Sequence, residues 1–162
     1  MSTGPLLDIA DLNVSFSGDG ARITYAVQGV GLTLHRGKTL GLVGESGCGK
    51  SVTALSIMRL LPKETAHIHG RVRFEDRDLA QLSEREMQDL RGNRMAMIFQ
   101  EPMTSLNPSY TIGDQIGEVL QRHRGLGRAA AQQQAIDLLE RVRIPSAETR
   151  VHEYPHLSLI HI

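Results

Sequence analysis

The sequence has 162 residues, 40% hydrophobic and 22% charged, which is the profile of one soluble globular domain or a large part of one. Eighteen Lys and Arg balance eighteen Asp and Glu, and 4% of residues are aromatic with no Trp, so no nucleic-acid partner is expected through bulk charge or base stacking. The single cysteine leaves no intrachain disulfide, as in a reducing compartment; no apolar run is long enough to span a membrane, and residues 1–5 lack the basic start and apolar core of a signal peptide.

Residues 6–16 alternate apolar and polar, with Leu7, Ile9, Leu12, Val14 and Phe16 predicting a strand with one irregularity. Gly18-Asp19-Gly20 is a turn. Residues 23–27 and 30–34 predict two further short strands, and Arg36-Gly37 turns the chain into residues 39–43, an apolar stretch that predicts a buried strand. Several strands therefore precede the next motif, so the pattern is an antiparallel sheet added to a nucleotide-binding core rather than a plain βαβ unit. Tyr25 reads either as an ordinary strand aromatic or as a ring able to stack on a base.

Residues 44–51 read Gly44-Glu45-Ser46-Gly47-Cys48-Gly49-Lys50-Ser51 and fit G-x-x-x-x-G-K-[ST], the phosphate-binding loop. Gly44, Gly47 and Gly49 are expected at positive φ, turning successive N–H groups inward toward phosphate oxygens. A helix over residues 52–61, stopped by Pro62, adds free N–H groups and the positive end of its dipole. Lys50 supplies a point charge for the β- and γ-phosphates, and Ser51 a hydroxyl for Mg²⁺. Cys48 reads as a small residue filling the loop or, through the helix N-terminus beside it, as a thiol open to redox control.

After Pro62, residues 67–69 and 71–75 predict strand pieces around Gly70, and the two histidines there have no third ligand at a metal-binding spacing. Ser83-Glu84-Arg85-Glu86 is a capping box, predicting a short helix to about Leu90 that ends at Arg91-Gly92-Asn93. Residues 95–99 are an apolar run that predicts a buried parallel strand, and Gln100 stands at its end, where α/β folds place ligand contacts. From Thr111 the pattern is helical, over residues 111–123 and 128–142 with Arg124-Gly125-Leu126-Gly127 between them. Ile136, Leu139 and Val142 recur at helical spacing, and Gln132-Gln133-Gln134 reads as a solvated face.

These motifs together resemble the ATP-binding subunit of an ABC transporter, and within that family the dipeptide, oligopeptide and nickel importer group. The narrower resemblance rests on Met97-Ile98-Phe99-Gln100-Glu101-Pro102-Met103-Thr104-Ser105-Leu106-Asn107-Pro108, supported by residues 41–51 and by Tyr154-Pro155-His156. It implies an α/β fold: a P-loop (RecA-like) core with an added antiparallel β-subdomain and part of an α-helical subdomain. Residues 1–110 would be the N-terminal part of the ATPase domain and residues 111–156 an incomplete helical subdomain. The resemblance also implies ATP and Mg²⁺ as cofactors. Residues 44–51 would hold the phosphates, Lys50 and Gln100 would act in catalysis, Ser51 and Gln100 would reach Mg²⁺, and Tyr25 would stack on adenine. The implied partners are transmembrane permease subunits, a second ATP-binding subunit and, indirectly, a solute-binding protein, at the cytoplasmic face of the membrane.

The sequence departs from the family after His156. The family signature Leu-Ser-Gly-Gly-Gln is expected there after one intervening residue, and the chain instead reads Leu157-Ser158-Leu159-Ile160-His161-Ile162. No run of four apolar residues followed by Asp-Glu is present, nor is a later switch histidine. Residues 157–162 are therefore expected to be a non-native tail, of the kind that translated sequencing-adapter DNA would give. The rival readings are another P-loop class such as a small kinase or GTPase, a nucleotide-binding regulator without turnover, and an ABC protein acting outside transport.

Overall fold

A computed structural model describes residues 4–18, 22–99 and 105–158, the last two through their backbone only. The chain forms two compact units, Met1–Gln88 and Asp89–Ile162. The first is built on strands β1 (Leu7–Ser17), β2 (Ile23–Leu34), β3 (Ala66–Phe74) and β4 (Arg77–Asp78), with helix α1 (Lys50–Ile57) between β2 and β3. A 3-10 turn (Leu79–Gln81) and helix α2 (Glu84–Leu90) follow β4. The sheet order is β2-β1-β3-β4, antiparallel throughout.

The irregularity expected in β1 is a β-bulge at Asp11, whose φ is 52°. Pairing to both neighbours slips there, so the buried positions change from odd at Ile9 to even at Leu12 and Val14. Gly70 on β3 faces the bulge at φ 102°, where a Cβ would run into the Asp11 carbonyl. On the other side the Gly29 N–H donates to Asn13 Oδ1 at 2.9 Å, with Gly29 at φ 63°. Both neighbours thus bend with β1 and continue past the bulge. That is why the two short strands expected over residues 23–34 are one strand, and the pieces around Gly70 are another. Ile9, Leu12, Val14, Val27, Val72 and Phe74 are buried in this unit, as are Met58, Leu79 and Met87.

Two expected buried strands do not form. Residues 39–43 have no strand conformation, and Leu40 and Val43 are 48% and 90% exposed. Residues 95–99 make a single parallel bridge, Arg91 to Met95, and Ile98 is 97% exposed. Apolar content marks what a strand would bury, but a strand exists only where a neighbour takes up its N–H and C=O groups. Among the described residues no strand pairs with either run.

The second unit contains α3 (Ile112–Arg124), α4 (Arg128–Arg141), α5 (Ala147–Arg150) and α6 (Pro155–Ser158). Thr111 caps α3 by accepting from the Asp114 N–H at 3.1 Å, and Gly125 closes it at φ 65°. The buried cluster is Ala135, Leu139, Ala147 and Val151, with Ile112, Ile116, Ile136 and Ile144 packed on it. Val142, expected to continue the apolar stripe, is 68% exposed because α4 ends at Arg141. Small alanines, rather than the larger periodic residues alone, make the buried face of α4. Gln133 is exposed as expected, whereas Gln132 lies 3.3 Å from the His152 ring. Among the described residues no helix is long and apolar enough to cross a membrane.

Candidate functional site

The loop over residues 44–51 runs directly into α1, with Gly49 as the N-cap at φ 90° and Gly47 at φ 82°. These are the left-handed conformations that turn backbone N–H groups toward one side. Gly44 is not among the positive-φ residues, contrary to expectation. Its lack of a side chain serves space instead, since a Cβ there would lie 2.6 Å from Cys48 Sγ. Gly49 serves both needs. A Cβ would overlap the Ala26 carbonyl oxygen and come within 3.2 Å of Val27 Cγ2. The loop's last turn is therefore seated on β2, one residue from Tyr25.

Lys50 folds back over the loop mouth. Its Nζ donates to the carbonyl oxygens of Gly44 at 2.7 Å and Glu45 at 2.6 Å and lies 3.4 Å from Cys48 Sγ. Ser51 is exposed in the first turn of α1, where no side chain caps the free N–H groups. The helix is held below by Thr53, whose N–H and hydroxyl both donate to the Gly49 carbonyl, at 2.8 and 3.0 Å. Cys48 is exposed. Tyr25 pairs with Ser15 across β1 and is 65% exposed, which leaves both readings of its ring open. Gln100 lies outside the described residues. An accessible ammonium, a hydroxyl and unbonded helix N–H groups on one glycine-turned loop fit a polyphosphate and its cation.

The helix is shorter than the sequence predicts, ending at Ile57 rather than residue 61. Arg59 takes φ 51° there, and its guanidinium is bound by the carbonyls of Leu79 and Leu82. Nothing in the helical pattern of residues 52–61 signals that distant contact. Near His69, His67 is engaged by Ser17, whose hydroxyl lies 2.7 Å from Nε2.

The family model for ABC transporters matches residues 27–159. The chain belongs to the ABC transporter family. It is 53% identical over 152 residues to a probable peptide ABC transporter ATP-binding protein, y4tR, of Sinorhizobium fredii (strain NBRC 101917 / NGR234), covering 93% of this chain and 45% of that protein. It is 47% identical, with the same coverage, to the dipeptide transport ATP-binding protein DppD of Bacillus subtilis (strain 168). It is 48% identical to the oligopeptide transport ATP-binding protein OppD of the same organism, covering 42% of it. The chain thus spans less than half the length of these relatives. Among solved structures, the ATP-binding cassette MJ0796, bound to ADP and Pi in a post-hydrolysis dimer, superposes with a TM-score of 0.74 at 20% identity, over 93% of this chain and 62% of that one. The fold is therefore that of the ABC ATPase cassette: an α/β P-loop architecture with an added antiparallel sheet and helical elements.

Proposed function

We propose that this ABC-family chain is the phosphate-loop part of an ATP-binding subunit that energises import of peptides or similar small solutes. The observation that carries the nucleotide reading is Lys50 poised over a loop turned by Gly47 and Gly49 at the start of α1. The peptide class is supported by the names of the relatives and by the wording of residues 97–108. In this reading residues 44–51 bind the phosphates of ATP and Tyr25 stacks on the adenine. Ser51 and Gln100 hold Mg²⁺, whose charge offsets that of the phosphate oxygens. Lys50 exchanges two neutral carbonyl acceptors for phosphate oxygens, which add the attraction of opposite charges to the hydrogen bonds.

The division at residues 110 and 111 is kept as functional, with the nucleotide core before it and helices facing partners after it. The partners are permease subunits, a second ATP-binding subunit and, through the permease, a solute-binding protein. The protein then sits peripherally on the cytoplasmic face of a membrane. Catalysis needs a glutamate after the second nucleotide motif and a signature from the opposite subunit, and residues 1–162 contain neither motif. Calorimetric titration with Mg-ATP tests the reading. Weak binding that Lys50→Ala reduces about tenfold or more is expected, from the loss of charge-assisted bonds of about 1.5–3 kcal/mol. ATP turnover by this chain is expected to be negligible. Turnover that Lys50→Ala abolishes would refute the half-site reading, and Mg-ATP affinity unchanged in Lys50→Ala would refute the nucleotide reading.

A further inference from the structure

Helix α1 follows the phosphate loop without a break, so whatever fixes the helix fixes Lys50 and Ser51 in its first turn. The helix closes in a Schellman pattern: the Arg59 N–H donates to the Ser56 carbonyl at 3.0 Å, and the Leu60 N–H to the Leu55 carbonyl at 2.9 Å. The left-handed position of that motif normally carries glycine, and here it carries Arg59 at φ 51°. Its side chain ties the helix end to a distant segment. Nη1 donates to the carbonyl oxygens of Leu79 at 3.0 Å and Leu82 at 2.6 Å, at the two ends of the 3-10 turn. Nη2 lies 4.0 Å from Glu84 Oε2, which is 3.6 Å from Lys63 Nζ. The guanidinium also places positive charge at the negative end of the α1 dipole. Arg143 ends α4 in the same pattern at φ 62° with an exposed side chain, so the conformation alone needs no anchor; what sets Arg59 apart is its attachment to the chain before α2.

We infer that Arg59 is a positioning residue for the phosphate-binding helix. It anchors the C-terminal end of α1 to the segment around Leu79 and Leu82, and the first turn is presented in a fixed pose as a result. The functional consequence rests on the nucleotide reading of residues 44–51; the anchor itself does not. Eight residues are too few for a helix to persist on propensity alone, so α1 stays folded only while it is docked. It lies against β1 and β2, its buried residues are Thr53 and Ser56, and Arg59 adds a second attachment at its C-terminal end.

Hydrogen exchange of the whole chain, read by mass spectrometry with and without Mg-ATP, tests this. Arg59→Met keeps the left-handed strain and the apolar stem and removes only the guanidinium, whereas glycine would also relieve the strain at φ 51°. Amides of residues 53–58 are then expected to exchange about tenfold faster, the effect of losing one or two net hydrogen bonds, while β1, β2 and β3 keep their rates. Mg-ATP affinity is expected to fall with the loss of α1 protection, and Arg59→Lys, with a donor but no fork, to fall between. Unchanged exchange in α1 of Arg59→Met would overturn the inference. So would an equal acceleration across the sheet, which marks a general loss of stability. Lys50→Ala serves as the control, losing nucleotide while keeping α1 protected. If the wild-type chain binds no Mg-ATP, the nucleotide reading fails while the exchange comparison still decides the anchor.

Discussion

Replacing glycines by alanine one at a time along residues 41–49 separates backbone strain from lack of space. At Gly41 a Cβ meets nothing within 4 Å and φ is not positive, so Gly41→Ala should be neutral or stabilise by up to about 0.5 kcal/mol, through a less disordered unfolded chain. At Gly47 the space is equally open but φ is 82°, so only the left-handed penalty applies, about 1–2 kcal/mol. At Gly49 the same penalty is joined by overlap with the Ala26 carbonyl and close approach to Val27, neither of which can swing aside. Backbone displacement of that kind adds about 1–3 kcal/mol, for a total of roughly 2–5 kcal/mol. Urea unfolding followed by far-UV circular dichroism gives the three differences from the midpoints at constant slope. The order Gly41, Gly47, Gly49 is the prediction. A Gly49→Ala cost equal to that of Gly47→Ala would refute the seating of the loop on β2.

Gly44→Ala should destabilise the loop through contact with Cys48 Sγ, and Cys48→Ala should relieve it, so a double-mutant cycle over the pair should show non-additivity of about 0.5 kcal/mol or more. In the second unit, Gly113→Ala would place a Cβ 2.6 Å from Val151 Cγ2 and 2.7 Å from the Val151 carbonyl oxygen. It should lower stability by about 1–3 kcal/mol, whereas Gly117→Ala, with its nearest contact at 3.7 Å, should raise it by up to about 1 kcal/mol through helix propensity. The Glu86 carboxyl is held below its ordinary value, chiefly by the Ser83 backbone N–H, then by the Ser83 hydroxyl, with Arg77 adding to both. A depressed carboxyl stabilises the fold above its unfolded-state value and loses that contribution as pH falls through the folded value. Wild type and Glu86→Gln should therefore converge in unfolding midpoint below the ordinary glutamate range; a gap that persists there would refute the linkage.

Local chemistry accounts for what the sequence determined by itself. The phosphate loop is legible because glycines at fixed offsets, a lysine and a hydroxyl have no other common use before a helix. The capping box at Ser83 is legible for the same reason, and it forms as expected, with Glu86 Oε2 accepting from the Ser83 N–H at 2.8 Å. The ends of α3, set by Thr111 and Gly125, are likewise written in residues within one turn of the boundary.

What depended on distant partners was not legible. The apolar runs over residues 39–43 and 95–99 name the burial that a strand would achieve, yet pairing is decided by neighbours the runs do not contain. The Asp11 bulge is readable as a break in alternation. That β2 and β3 bend with it and stay continuous was decided across the sheet, where Gly29 and Gly70 meet β1. The early end of α1 belongs to the same class. Propensity carries the helix to residue 61, yet it ends before Arg59, whose guanidinium finds carbonyls twenty and twenty-three positions on. Gly44 is the sharpest case: the motif specifies glycine there, but only the folded loop shows that the need is room for the Cys48 sulfur rather than a positive φ. Residue type and spacing fix the chemistry a segment can perform. Tertiary packing decides which backbone groups are satisfied, and so which segments take the form their sequence favours.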